Sequence, residues 1–130
     1  MCDDTINLVD IYVTIAAMIG KPIPGEQAAE DSVNVLPAIL VDSVRAPIRS
    51  SNVLHSPNRN FAIRQGRWKY IEGEPSLALR RVSRRDELKP QLDDLTEDPG
   101  EQNNLLSDHP EIASRLADLL NELRTRGRSR

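Results

Sequence analysis

Residues 61 to 73, FAIRQGRWKYIEG, constrain the fold more than any other stretch of the chain. Strict alternation places Phe61 and Ile63 on one face of a first strand and Trp68 and Tyr70 on one face of a second. Gly66 supplies a backbone free to take positive φ, so the spacing predicts a hairpin folded about Gln65-Gly66. A lone hairpin with one apolar face is barely stable in water and needs more strands or a helix to cover it. The end of the chain offers that cover. Pro110 suits a first helical position, Glu111 complements the helix dipole, and Ile112, Leu116, Leu119, Leu120 and Leu123 recur on one side until Gly127 ends the run. With Asn52 to His55 and Gln91 to Leu95 as further strands, the expected class is α+β: a small antiparallel sheet of three or four strands packed on a C-terminal helix.

Upstream, residues 10 to 20, DIYVTIAAMIG, set Ile11, Ile15, Met18 and Ile19 on one helical stripe, with Asp10 expected to cap the first amides and Gly20 to end the helix. Asn34 is expected to cap a second short helix from Val35 to Leu40, where Pro37 falls in the first turn. The chain thus divides into a helical segment and linker, residues 1 to 50, and a sheet with its helix, residues 51 to 130. Its length suits one domain, yet a hydrophobic fraction of 38% and an aromatic fraction of 3% lie below ordinary globular usage. So thin a core implies long loops, or apolar faces shaped to meet something outside these 130 residues.

A formal net charge of -3 gives no global basic field to gather nucleic acid or an anionic membrane. Two basic stretches stand out, Arg80, Arg81, Arg84, Arg85 and Lys89, then Arg124, Arg126, Arg128 and Arg130. Neither carries the interleaved aromatics that nucleic-acid stacking uses. The single cysteine, Cys2, excludes an internal disulfide and a multi-cysteine metal site. The opening MCDDTINLVD has acids where an export leader has a basic stretch, and no apolar run reaches membrane-spanning length. The expectation is a chain with no nucleic-acid or membrane partner and no signal peptide.

Hydrolytic chemistry requires a nucleophile beside a base, with the base held by a third group. His109 precedes Pro110 and reads as part of a helix start. His55 is the better candidate, because it ends a strand beside Ser56, Asn58 and Arg59, a cluster suited to an anionic or hydroxylated ligand, although a half-buried loop histidine is the plainer alternative. His55, Ser56 and Asn58 are therefore the candidate substrate-binding residues. Acidic pairs such as Asp93-Asp94 lack calcium-loop spacing, and no phosphate-cradling glycine loop is present. By residues alone, no catalytic or metal-ligating set emerges.

The order of segments says more. VDIYVTIAAMIG, EDSVNVLPAIL, FAIRQGRWKYIEG and QLDDLTEDPGEQNNLLSDHPEIASRL together resemble the C-terminal part of the arylsulfatase family. The family pattern V-D-(Leu/Ile)-(Tyr/Phe)-x-T-(Ile/Leu) falls on Val9 to Ile15 and the Leu-Pro helix on Leu36 to Leu40. The R-x-G-x-W-K hairpin falls on Ala62 to Ile71, and L-x-x-L-x-x-D-P-G-E-x-x-N-L on Leu92 to Leu105. The resemblance implies a small antiparallel sheet and C-terminal helix following a large alkaline-phosphatase-like α/β domain. It also implies sulfate ester hydrolysis using calcium and a formylglycine made from Cys or Ser in a Cys/Ser-x-Pro-x-Arg motif.

This chain does not contain those parts. His55-Ser56-Pro57-Asn58-Arg59 keeps Pro and Arg at the correct spacing but has His where the modified residue must stand. The family's metal ligands and catalytic lysine and histidine would precede Met1, so the implied partner is a missing N-terminal catalytic domain, against which Ile11, Ile15 and Ile19 would pack. Two positions depart from the family. Leu54-His55-Ser56 replaces His-His-Ser, leaving His55 alone to act at the substrate end of the cleft, and Asp93 stands where Tyr or Phe is usual, at a strand position expected to be half-buried. The expected role is the C-terminal part of a sulfuric ester hydrolase, inactive alone. The alternatives are a stand-alone binding module for sulfated or carbohydrate ligands, and a small arginine-tailed protein whose last helix pairs with a partner.

Overall fold

A computed structural model describes residues 5–23, 29–40, 47–56, 60–73 and 89–127. In chain order these form α1 (Asp10–Met18), α2 (Leu36–Leu40), β1 (Asn52–His55), β2 (Phe61–Gln65), β3 (Trp68–Ile71), β4 (Gln91–Asp94) and α3 (Pro110–Arg126). They group into two compact units, Met1–Asn52 with Gly127–Arg130, and Val53–Arg126.

In the second unit the strands lie in sequence order, β1-β2-β3-β4, as one four-stranded antiparallel sheet. Ile63 pairs with Tyr70 and Tyr70 with Leu92, so these three share one face. That face carries the core, in which fully buried Ile63 and Leu92 pack with Leu116, Leu120, Ala113 and Leu123 of α3, flanked by half-buried Phe61, Trp68 and Tyr70. Each buried Leu or Ile side chain contributes roughly 1.5–3 kcal/mol. The free edge of β4 is covered by its own continuation. Leu105 N–H donates to the Leu92 carbonyl at 2.8 Å, and Asn104 Oδ1 accepts from Leu92 N–H at 3.1 Å.

The hairpin turn lies one residue later than its sequence suggests. Gln65 pairs with Trp68, which makes Gly66-Arg67 the two-residue loop, with φ of +59° at Gly66. Glycine at the first central position is the type II′ arrangement, whose twist matches that of the strands, and Gln65 thereby stays in the ladder. At the far end, α3 stops at Gly127, whose φ is +70°.

The first unit is organised differently. Its helix α1 buries Asp10 and Thr14, whereas Ile11, Ile15, Met18 and Ile19 are 48–64% exposed. Asp10 is no N-cap, because Val9 occupies that position without a side-chain cap and the Asp10 carboxylate has other work. It accepts from Asn7 N–H at 2.8 Å, Val33 N–H at 2.9 Å and Arg49 Nε at 2.9 Å. The Arg49 guanidinium also donates to the Asp31 carbonyl. Thr14 Oγ1 donates to the Asp10 carbonyl at 2.7 Å and accepts from Val35 N–H at 3.1 Å. Three separated segments are thus tied by a buried polar network. Helix α1 ends at Met18 with Ile19 as its C-cap, and Gly20 terminates it as its sequence predicts, with φ of +65° and its N–H donating to the Ala17 carbonyl at 3.2 Å. Helix α2 begins at Leu36, one residue later than its sequence suggests: the Val35 carbonyl accepts from Ala38 and Ile39 N–H at 3.0 and 3.2 Å, and Asn34, one residue before that cap, accepts from Leu36 N–H at 3.0 Å in an Asx turn.

Candidate functional site

His55 closes β1, and Ser56 N–H donates to the Asn60 carbonyl at 2.9 Å. Of the three candidate binding residues, His55 and Ser56 stand side by side, His55 exposed and Ser56 half-buried; Asn58 lies outside the described residues. The His55 imidazole stacks on Phe61, with ring centroids 4.4 Å apart and planes 25° from parallel. Arg124, from the last turn of α3, lies 4.7 Å from the Phe61 centroid, a cation–π distance.

Glu72 fixes that arginine. Its Oε2 accepts from Arg124 Nη1 at 3.0 Å while its Oε1 accepts from Phe61 N–H at 3.2 Å. Sequence reading had no access to this grouping, because Arg124 and Glu72 lie 52 positions apart and meet only when α3 crosses the sheet. The one available signal was the hairpin itself, which sets Glu72 directly after β3 and beside Phe61. An exposed imidazole on an aromatic ring, with a guanidinium over the same ring, can bind a hydroxylated or anionic group by hydrogen bonds and charge. No nucleophile with a base at hydrogen-bonding distance accompanies it among the described residues.

The second histidine does what its position suggests. His109 sits at the start of α3, where its carbonyl accepts from Ile112 and Ala113 N–H at 3.2 Å, and its ring meets Trp68 edge-on at 5.2 Å. Among the described residues, no group of three or more His, Cys, Asp or Glu side chains could hold a metal ion. The carboxylates that cluster around β4 serve the fold instead. Asp94 bonds Arg67, which holds its carboxyl below the usual range. Burial would push Asp98 up, but N–H donors from Asn103 and Gln102 and the Asn103 amide bring it below its ordinary value. No helix among the described residues is long and apolar enough to cross a membrane.

A four-stranded antiparallel sheet closed by a C-terminal helix, with D-P-G-E in the turn between them, is the architecture of the C-terminal region of sulfatases, and this chain belongs there. Over 121 residues it is 36% identical to an N-acetylgalactosamine-6-O-sulfatase of Bacteroides thetaiotaomicron, a match spanning 91% of this chain and 23% of the relative. Arylsulfatase K of Danio rerio is 26% identical over 122 residues, spanning 91% of this chain and 22% of that protein. A solved Bacteroides thetaiotaomicron structure designated 6S-sulf, from work on glycosaminoglycan metabolism, superposes with a TM-score of 0.71 at 37% identity, covering 89% of this chain and 24% of that one. No protein-family model matches the chain. The chain therefore spans about a quarter of the length of the curated relatives it matches.

Proposed function

We propose that this chain serves as the C-terminal part of a sulfuric ester hydrolase and is inactive on sulfate esters by itself. The observation that carries this reading is the match along 91% of the chain to only 23% of a sulfatase, together with the lack of a Cys/Ser-x-Pro-x-Arg motif in these 130 residues. Calcium and formylglycine, implied for the full-length family, do not fit the groups present. The nearest imitation of the motif, His55-Ser56-Pro57-Asn58-Arg59, has His where a modifiable Cys or Ser is needed, and no group of three or more His, Cys, Asp or Glu among the described residues could hold the metal.

The outward stripe of α1 supports the same reading. Ile11, Ile15, Met18 and Ile19 form an apolar ridge on a helix whose buried side is polar, the surface a larger catalytic portion would cover. In that setting His55, Ser56 and Asn58 lie at the substrate end, with His55 contacting a sulfated sugar. Purified chain incubated with calcium and an aryl sulfate should release no sulfate above blank, and turnover would overturn the proposal. Titration with sulfated glycans tests the binding-module reading, which the exposed His55–Phe61–Arg124 stack favours; saturable, salt-sensitive binding lost in His55→Ala would support it.

A further inference from the structure

The sheet face opposite α3 carries a carboxylate that the functional reading does not use. Asp93 alternates with Leu92 along β4, so its side chain points away from the core made with α3. It is only 2% exposed, and its Oδ2 is buried with no hydrogen-bond partner among the described residues. Buried charges in proteins are ordinarily paired, because leaving water without a partner is costly. The cation placed to pair with it is Lys69, its cross-strand neighbour on β3. That ammonium is already committed, donating to Glu101 Oε1 at 2.7 Å and Oε2 at 2.5 Å.

Among the described residues, the remaining charged groups of this row do not help. Arg64, the next residue across on β2, donates to the Gly66 carbonyl at 3.1 Å. Glu101 and Asp98, from the turn after β4, add negative charge that disfavours ionised Asp93.

We propose that Asp93 is a proton-binding switch in the sheet: its buried, unbonded Oδ2 favours the protonated form, and its ionisation forces a choice for Lys69 between Asp93 and Glu101. Burial, followed by the charge of Glu101, pushes the Asp93 carboxyl above its ordinary 3.8, with Lys69 opposing and Asp98 reinforcing the rise. The sign follows. A carboxyl whose folded value is raised adds stability that is fully present below 3.8 and is lost as pH rises through the raised value. Glu101 sits at φ of +55°, a conformation unfavourable for a side-chain-bearing residue, so losing the Lys69 tether loosens a turn that is already strained.

The test is a carboxyl-carbon NMR titration of the full chain, with amide exchange followed at residues 98–103. Asp93 should titrate with a midpoint above 3.8, and exchange in the turn should accelerate as pH rises through that midpoint, beyond the intrinsic base dependence of exchange. In Asp93→Asn the additional acceleration should vanish. The proposal is overturned by a midpoint at or below 3.8, by an equal pH response in Asp93→Asn, or by a chain that gains no structure anywhere between neutral pH and about pH 4, the carboxylate range. If Asp93→Asn does not fold, Lys69→Met serves, since removing the shared cation should raise the Asp93 midpoint further; an unchanged midpoint counts against the switch.

Discussion

Removing either member of the Asp10–Arg49 pair should unravel the first unit, and its geometry says by how much. The two side chains are 1% and 3% exposed, so neither charge can fall back on water when its partner is lost. Breaking a pair this deeply buried costs about 3–5 kcal/mol, against about 0–1 kcal/mol for an ion pair at the surface. Arg49→Met strands the Asp10 carboxylate with only the Asn7 and Val33 amides, and Asp10→Asn leaves the guanidinium with the Asp31 carbonyl. The amide of Val35 is the probe to follow, because Val35 is buried and its acceptor, Thr14 Oγ1, is untouched by both substitutions. At about 1.4 kcal/mol per tenfold, each variant should speed Val35 exchange by roughly two powers of ten or more, up to the unprotected rate. The double variant should cost less than the sum of the singles, since it leaves no buried charge unpaired. An acceleration below about tenfold, the range of a surface pair, or strict additivity would refute the assignment of this pair as the tie of the first unit.

Other consequences concern the second unit, for which Trp68, the only tryptophan, is an internal fluorescence reporter. Leu116→Ala, at a site with 0% exposure between α3 and the sheet, should lower unfolding free energy by about 3 kcal/mol in urea titration, within the usual span for buried leucines. Gly66→Ala meets open space, with nothing within 4 Å of the new methyl, so its cost should be the backbone term alone, about 1–2 kcal/mol. Stability should also vary non-monotonically with acid. As pH falls, protonation of Asp93 first stabilises the fold; below 3.8, stability held by Asp10, Asp94 and Asp98 is lost as pH passes through their depressed values. For Asp10, burial alone would raise the value, and the bonds and charge of Arg49 with the Asn7 and Val33 amides reverse it. Thermal melts at closely spaced pH values check the shape, and a smooth decline from neutral pH would contradict it.

The second unit was legible from sequence because its forces are periodic. Alternation in 61–71 and the spacing of Leu116, Leu120 and Leu123 each specify a face, and the two faces can satisfy only one another. The turn was misplaced by one residue because Gln65-Gly66 and Gly66-Arg67 both contain the needed glycine; ladder pairing of Gln65 with Trp68 decides between them. At Asp93 the family pattern marked an unusual residue but suggested half-burial, whereas the strand buries it. Nothing periodic could announce that, since burial there depends on what folds over the second face of the sheet. The stack of His55, Phe61 and Arg124 was invisible for a related reason, being made by elements far apart in the chain.

The first unit shows why a periodicity argument can find the right helix and leave its direction open. Ile11, Ile15, Met18 and Ile19 do mark one side of α1, and a hydrophobic stripe ordinarily points inward. Here the inward side is Asp10 and Thr14, because a carboxylate and a hydroxyl at that spacing can bind the backbone of 31–35 and the guanidinium of Arg49. A helix held from its polar side has no further need of its apolar side within the unit. That inversion is one source of the low hydrophobic content: the first unit spends polar groups on its own cohesion and leaves Ile11, Ile15, Met18 and Ile19 exposed. It also separates two experiments that would otherwise be confounded. Ile15→Ser should leave Val35 exchange nearly unchanged, since Ile15 is 50% exposed, while weakening association with a co-expressed sulfatase catalytic portion. Arg49→Met should accelerate exchange whether or not that portion is present; if Ile15→Ser accelerated it equally, the apolar stripe would belong to the interior of the unit and the inversion would be wrong.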